Sequence, residues 1–280
     1  MLLTDRDLRI MEWLHECRFL TREQIERLEF GPGATSAAKR RLTLLYHNGY
    51  LGRLHLPLRD AYGASRAAYY LDRRGAQSLA GVLRASLDEL NWRRRDGEQE
   101  ETFLAHTLDV NDVRIAFTLA SRHHGLGLEW LDERALRRMD VLQRIKGAGG
   151  ETATLLPDAY FTIGGVEGID GFALEVDRGT VSERRMRARI RAYGEWATSG
   201  AYRRHLPAES LRVIFAVTGS RRGEDRLALL KRWCEEEGGR SLFWFTDGMQ
   251  VAGEDILSAP VWQVGGRTGR VSLPLSAAGR

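Results

Sequence analysis

The chain has 280 residues, 43% apolar and 29% charged, with a net charge of +4. That is the profile of a globular protein long enough for two ordinary domains. No apolar run approaches the roughly eighteen residues of a membrane span. The two cysteines, Cys17 and Cys234, have neither CxxC nor histidine spacing, which argues against a zinc site and for buried free thiols.

The opening stretch "LTDRDLRIMEWL" reads as an amphipathic helix and not as a secretion signal, so the expected compartment is the cytoplasm, with no membrane partner. The charge is unevenly placed. Residues 1–95 carry 17 Lys+Arg against 11 Asp+Glu, residues 96–280 carry 25 against 27, and residues 31–75 alone carry 8 against 2. A basic excess confined to one segment favours a polyanion partner there. Only Lys39, Lys146 and Lys231 are lysines; every other basic residue is arginine.

Three short helices are expected first. Thr4-x-x-Asp7 resembles a capping box with Asp in the reciprocal position. Leu8, Met11 and Leu14, and less cleanly Ile10, mark an apolar stripe. "LTREQIERLEF" repeats the device, with Thr21 and Gln24 capping and Ile25 and Leu28 inward. "GPG" at 31–33 is a break. "TSAAKRRLTLLYHNG" is the third helix, closed by Asn48-Gly49. Two strand-like runs around residues 50–72 then flank a polar turn, a β-hairpin signal.

Three helices and a hairpin make a winged helix-turn-helix, with the third helix entering the major groove of double-stranded DNA. Ala38, Leu42 and Leu45 then face the core. Ser36, Lys39, Arg40 and Thr43 occupy the exposed face, Arg41 reaches a phosphate, and Arg59 and Arg66 flank the wing tip. Phosphate contacts would dominate affinity and make it salt-dependent. A basic triplet can equally be a solvated helix face; its place on the third helix of this pattern favours DNA.

"GAQSLAGVLRASLDELNW" reads as a helix trailing the wing. "RRRDGEQEE", with no apolar residue, marks a seam between a domain of residues 1–95 and one of residues 96–280. The second domain reads as α/β: a helix from Glu100 to about Gly125, three strands, a basic helix, a strand, a helix and a last strand.

Three carboxylates, Asp158, Glu175 and Asp177, stand on the second and third of those strands. Side chains alternate along a strand. Phe161 with Ile163, and Phe172 with Leu174 and Val176, form one apolar face, so the three acids project from the other. A hairpin centred on residues 164–171 puts Asp158 roughly opposite Asp177. Cross-strand Cβ atoms lie about 5 Å apart, where two carboxylates repel by roughly 3 kcal/mol at an effective dielectric near 20. Either a magnesium or manganese ion resolves the conflict, or nearby arginines do on a polar sheet face.

Pro157-Asp158 followed by Glu175-x-Asp177 and a helix resembles the PD-(D/E)xK nuclease core. The whole chain, over about Leu2 to Thr218, resembles the replication-relaxation family of plasmids and other mobile elements. The residues that carry this are "RRLTLLYHNGYL", "YYLDRRG", "FLAHTLDVNDVR", "LPDAYFTI" and "ALEVDRGT".

The resemblance implies an α+β chain: an N-terminal winged helix followed by a restriction-endonuclease-like α/β domain. It implies a role in replication, transfer or regulation of mobile-element DNA. Partners that fit are double-stranded DNA, a second copy of the chain, and replication or transfer proteins of the element. If the second domain is an active endonuclease, Asp158, Glu175 and Asp177 hold magnesium or manganese with Glu101 (or Glu100) as a further ligand, and His106 is a possible base. The chain departs from the nuclease pattern where a lysine should orient water: Asp177 stands there, and Arg187, Arg189 and Arg191 are poor bases.

Overall fold

A computed structural model describes residues 1–55, 67–93, 101–139, 143–146, 152–165, 168–204, 206, 208, 210–218, 223–248, 250 and 255–275. The wing tip with Arg59 and Arg66, and most of the seam expected between the domains, lie outside these residues. The chain separates into two compact units, Met1–Asn111 and Asp112–Arg280. None of the described helices is long and apolar enough to cross a membrane.

In the first unit the order is α1 (Asp5–Cys17), β1 (Leu20–Thr21), α2 (Arg22–Glu29), α3 (Thr35–His47), β2 (Leu51–His55), β3 (Ala67–Leu71) and α4 (Arg73–Leu83). The three strands form one antiparallel sheet in the order β1-β3-β2. Both helix starts are capped from within the sequence. The Asp7 carboxylate accepts from the Thr4 backbone N–H at 2.6 Å. Thr21 and Gln24 exchange reciprocal bonds at 2.9 and 3.2 Å.

The buried stripe of α1 runs through Asp7, Ile10, Met11, Leu14 and Cys17. Ile10 is fully buried and Leu8 only half-buried, the reverse of the sequence expectation, because the stripe begins on a buried carboxylate and not on Leu8. The trailing helix is also shorter than expected. It stops at Leu83, with Arg84 in the left-handed conformation at φ 53°.

The second unit is built on a six-stranded sheet ordered β11-β10-β9-β8-β7-β4. Its strands are β4 (Gly127–Asp132), β7 (Ala159–Gly165), β8 (Gly168–Asp177), β9 (Ser210–Val217), β10 (Phe243–Asp247) and β11 (Gln263–Val264). β8, β9 and β10 run parallel, and β4, β7 and β11 antiparallel to their neighbours. Helix α5 (Glu101–His123) precedes β4, α7 (Glu183–Thr198) joins β8 to β9, and α8 (Gly223–Glu236) joins β9 to β10. Short α6 (Glu133–Arg138) and the hairpin β5 (Gln143–Lys146) with β6 (Thr152–Leu155) were not anticipated. α6 starts because the Asp132 carboxylate caps it, accepting from Ala135 N–H at 2.8 Å.

Both faces of the sheet are covered. On one, Phe117 of α5 packs on Phe161 with ring centroids 4.5 Å apart, and Phe161 stacks on Phe172 at 4.9 Å; aromatic pairs of this kind add about 1 kcal/mol beyond area burial. On the other, Tyr160, Ala173, Val213 and Phe215 meet Met186, Ile190, Tyr193 and Trp196 of α7 and Leu227, Leu230 and Trp233 of α8. Residues 170–177 of β8 are all buried. The expectation of an acid-bearing outer surface is therefore corrected: the face opposite the phenylalanines lies under α7 and α8. On this face Gly171 leaves room for the neighbouring Tyr160 ring, since a Cβ there would stand 2.3 Å from the Tyr160 hydroxyl and 3.0 Å from the Ser210 carbonyl oxygen.

Candidate functional site

Two regions carry the residues singled out by sequence, one in each unit. In the first unit, α3 buries Ala38, Leu42 and Leu45. Its opposite face exposes Ser36, Lys39, Arg40 and Thr43. No acid among the described residues pairs with Lys39 or Arg40.

Arg41, between the two faces, is engaged within the protein. Its Nε donates to Asp7 Oδ1 at 2.7 Å and its Nη2 donates to Asp7 Oδ2 and to the Leu2 carbonyl. Asp7 is fully buried. Burial pushes its pKa up, but the hydrogen bonds from Arg41 and Thr4 outweigh this and hold it below the usual carboxylate value. Arg41 thus ties α3 to the start of α1. Nearby cations are also engaged: Arg9 with Glu29 at 2.7 Å, Arg6 over the Phe30 ring and Arg53 over Tyr46.

In the second unit the register of β7 on β8 pairs Ala159 with Leu174, Tyr160 with Ala173 and Phe161 with Phe172. Continued by one residue, it sets Asp158 opposite Glu175, not Asp177. The pairing is centred one residue earlier in the chain than expected, which shifts the register by two residues. Asp158 is half-buried. Its Oδ2 accepts from the Val176 backbone N–H at 2.7 Å, and its own N–H donates to the Leu174 carbonyl at 3.0 Å.

Glu175 is 2% exposed. Its Oε1 accepts from the Tyr193 hydroxyl at 2.6 Å and its Oε2 from Arg189 Nη1 at 2.5 Å. Burial lifts its pKa to about 7; the Arg189 charge opposes that rise and the Asp158 charge adds to it. Asp177, also buried, is gripped by the Arg226 fork from α8, with Nε to Oδ2 at 2.6 Å and Nη2 to Oδ1 at 3.2 Å. Both oxygens of Glu175 and of Asp177 thus already accept hydrogen bonds. Charge conflict at this end of the hairpin is relieved by arginines and a tyrosine, and as arranged these oxygens do not fit the open shell a hard divalent cation requires.

The family model for replication-relaxation matches residues 11–207, which is 197 of the chain's 280 residues. The chain belongs to the replication-relaxation family. No curated protein and no solved structure matches it.

Within this replication-relaxation chain, Glu101 and His106 lie on the part of α5 that belongs to the first unit, whereas Asp158, Glu175 and Asp177 belong to the second. Glu101 is exposed and His106 half-buried. Arg187 is bound by Glu183, Glu236 and Glu237, and Arg191 by Glu237, so much of the basic face of α7 is neutralised from α8. Sequence reading missed two partners in particular. The sequence alone gives Asp7 only a capping role, and Arg226 none. For Asp7 the signal is a carboxylate at a core position of α1, without a spacing that names its partner 34 residues away; for Arg226, 49 residues from Asp177, the sequence carries no such signal.

Proposed function

We propose that this replication-relaxation protein binds double-stranded DNA of a plasmid or other mobile element and acts in its replication, transfer or regulation. α3 is the recognition helix of a winged helix. The reading rests first on one observation: Lys39 and Arg40 are exposed beside Ser36 and Thr43 with no acidic partner among the described residues, in a chain where the neighbouring arginines are mostly paired. Support comes from the order of three helices with a β2–β3 hairpin closing a three-stranded sheet. Arg41 leaves the DNA-contacting set, because it holds Asp7.

We read the second domain as a PD-(D/E)xK-like scaffold, a reading supported by α5, β4, β7, β8, α7 and β9 following the order helix, three strands, helix, strand with α6, β5 and β6 interposed, and its role here is to contact nucleic acid or protein. Binding is tested by fluorescence anisotropy on double-stranded fragments of a replicon. The double variant Lys39→Ala, Arg40→Ala should bind at least roughly tenfold more weakly at matched salt. Unchanged affinity would remove α3 from the interface.

A metal-dependent endonuclease is the second reading, favoured by Asp158 standing opposite Glu175 at one end of the hairpin. Magnesium or manganese would there have to displace Arg189 from Glu175. Nicking of supercoiled DNA that requires the metal and is lost in Glu175→Ala would select it over the binding reading for this domain.

A further inference from the structure

A different cluster in the second unit has the composition of a transition-metal site. His123 closes α5 and His124 follows it. Asp255 opens the turn at residues 255–258, and its Oδ1 accepts from the Leu257 N–H at 3.0 Å and the Ser258 N–H at 3.4 Å. Oδ2 is thereby turned toward His124 Nε2, 2.5 Å away. The two imidazoles stand 5.0 Å apart, nearly perpendicular. One ligand atom from each of His123, His124 and Asp255 falls within 4.8 Å of the other two, and this is the only such trio of His, Cys, Asp or Glu among the described residues.

We propose that His123, His124 and Asp255 bind one Zn2+ ion, with water or another molecule completing the shell. Zinc takes nitrogen and carboxylate oxygen at about 2.0–2.1 Å in a tetrahedron, which separates ligand atoms by roughly 3.3 Å. The His124–Asp255 pair needs to open by less than an ångström to accept it. Two imidazoles select a first-row transition ion over magnesium or calcium, which prefer all-oxygen shells. The position adds to this: α5 ends here, and the negative end of its dipole favours a cation.

The two segments that carry the ligands are also held together. Trp262, seven residues beyond Asp255, is fully buried, donates its indole N–H to the Ile256 carbonyl at 2.7 Å and lies 6.1 Å from Phe117 of α5. The two ligand-bearing segments are therefore fixed to each other through the core before any ion arrives. Bound zinc would cross-link residues more than 130 apart in sequence and clamp the C-terminal segment to α5.

The test is calorimetric titration of the full, tag-free, chelator-treated chain with Zn2+, with Mg2+ as control. The expected result is one equivalent of Zn2+ bound, no Mg2+ bound, and a higher unfolding temperature with Zn2+. His123→Ala leaves the His124–Asp255 contact in place and should fold as the parent does, yet lose roughly tenfold or more in Zn2+ affinity together with the thermal shift. Asp255→Asn should do the same to binding. Failure of the parent chain to bind Zn2+, or equal binding by His123→Ala, overturns the proposal.

Discussion

Glu175 shows most clearly how a residue's environment changes its meaning. As sequence it is one of three acids that need a counter-charge. In the fold it is sealed beneath α7, between Tyr193 and Arg189. Burial is the largest influence and lifts its pKa from an ordinary 4.5 to about 7. Between those values the folded protein keeps a proton that the unfolded chain has released. Stability from this group is therefore greatest below about pH 4.5, falls as pH rises through the window, and is flat above about pH 7. The loss is on the order of 3 kcal/mol. Urea unfolding midpoints at pH 5 and pH 8 read it directly when the parent is compared with Glu175→Gln, which cannot ionise. The parent should lose the more stability between the two pH values; the same pH dependence in both proteins would show that Glu175 is ionised throughout.

At the scale of elements, what was legible follows from periodicity. The stripe of α3 at Ala38, Leu42 and Leu45 predicted both its buried face and the exposure of Ser36, Lys39, Arg40 and Thr43, because a helix fixes orientation within a few residues. Strands β7 and β8 were found by alternation, and their face parity was right. Their register was not legible, since it depends on the two-residue connection, and neither was the covering of both faces, since Ala173 and Glu175 read as a polar side until α7 and α8 are packed on it. Ion pairs between elements were invisible for the same reason.

Those pairs now separate cations engaged within the protein from exposed ones. Asp7 is fully buried, so Arg41→Ala leaves an uncompensated charge under α1 and should destabilise the protein by about 3 kcal/mol. Lys39→Ala, on the adjoining exposed face, should change stability by less than about 0.5 kcal/mol. Chemical denaturation of the two single variants tests the contrast. A large loss from Lys39→Ala would place that side chain in an internal contact and remove it from any DNA-facing role.

For the whole molecule, the net charge of +4 says less than its distribution. Counterion release depends on cations free to meet phosphates, and each such contact steepens the dependence of log affinity on log salt by about 0.9. Arg187 is a cation of the same unit charge as Lys39, but three acids surround it, Glu183, Glu236 and Glu237. It has little positive field left to offer. If α3 carries the interface, Lys39→Ala with Arg40→Ala should make the salt slope shallower by roughly 1.8. Arg187→Ala, which changes net charge by half as much, should leave the slope within error of the parent's. Affinities measured across a salt series decide between local and global attraction: slopes that fall in proportion to net charge, whichever residue is removed, would mean that DNA is drawn by the molecule's overall charge and that α3 holds no special place.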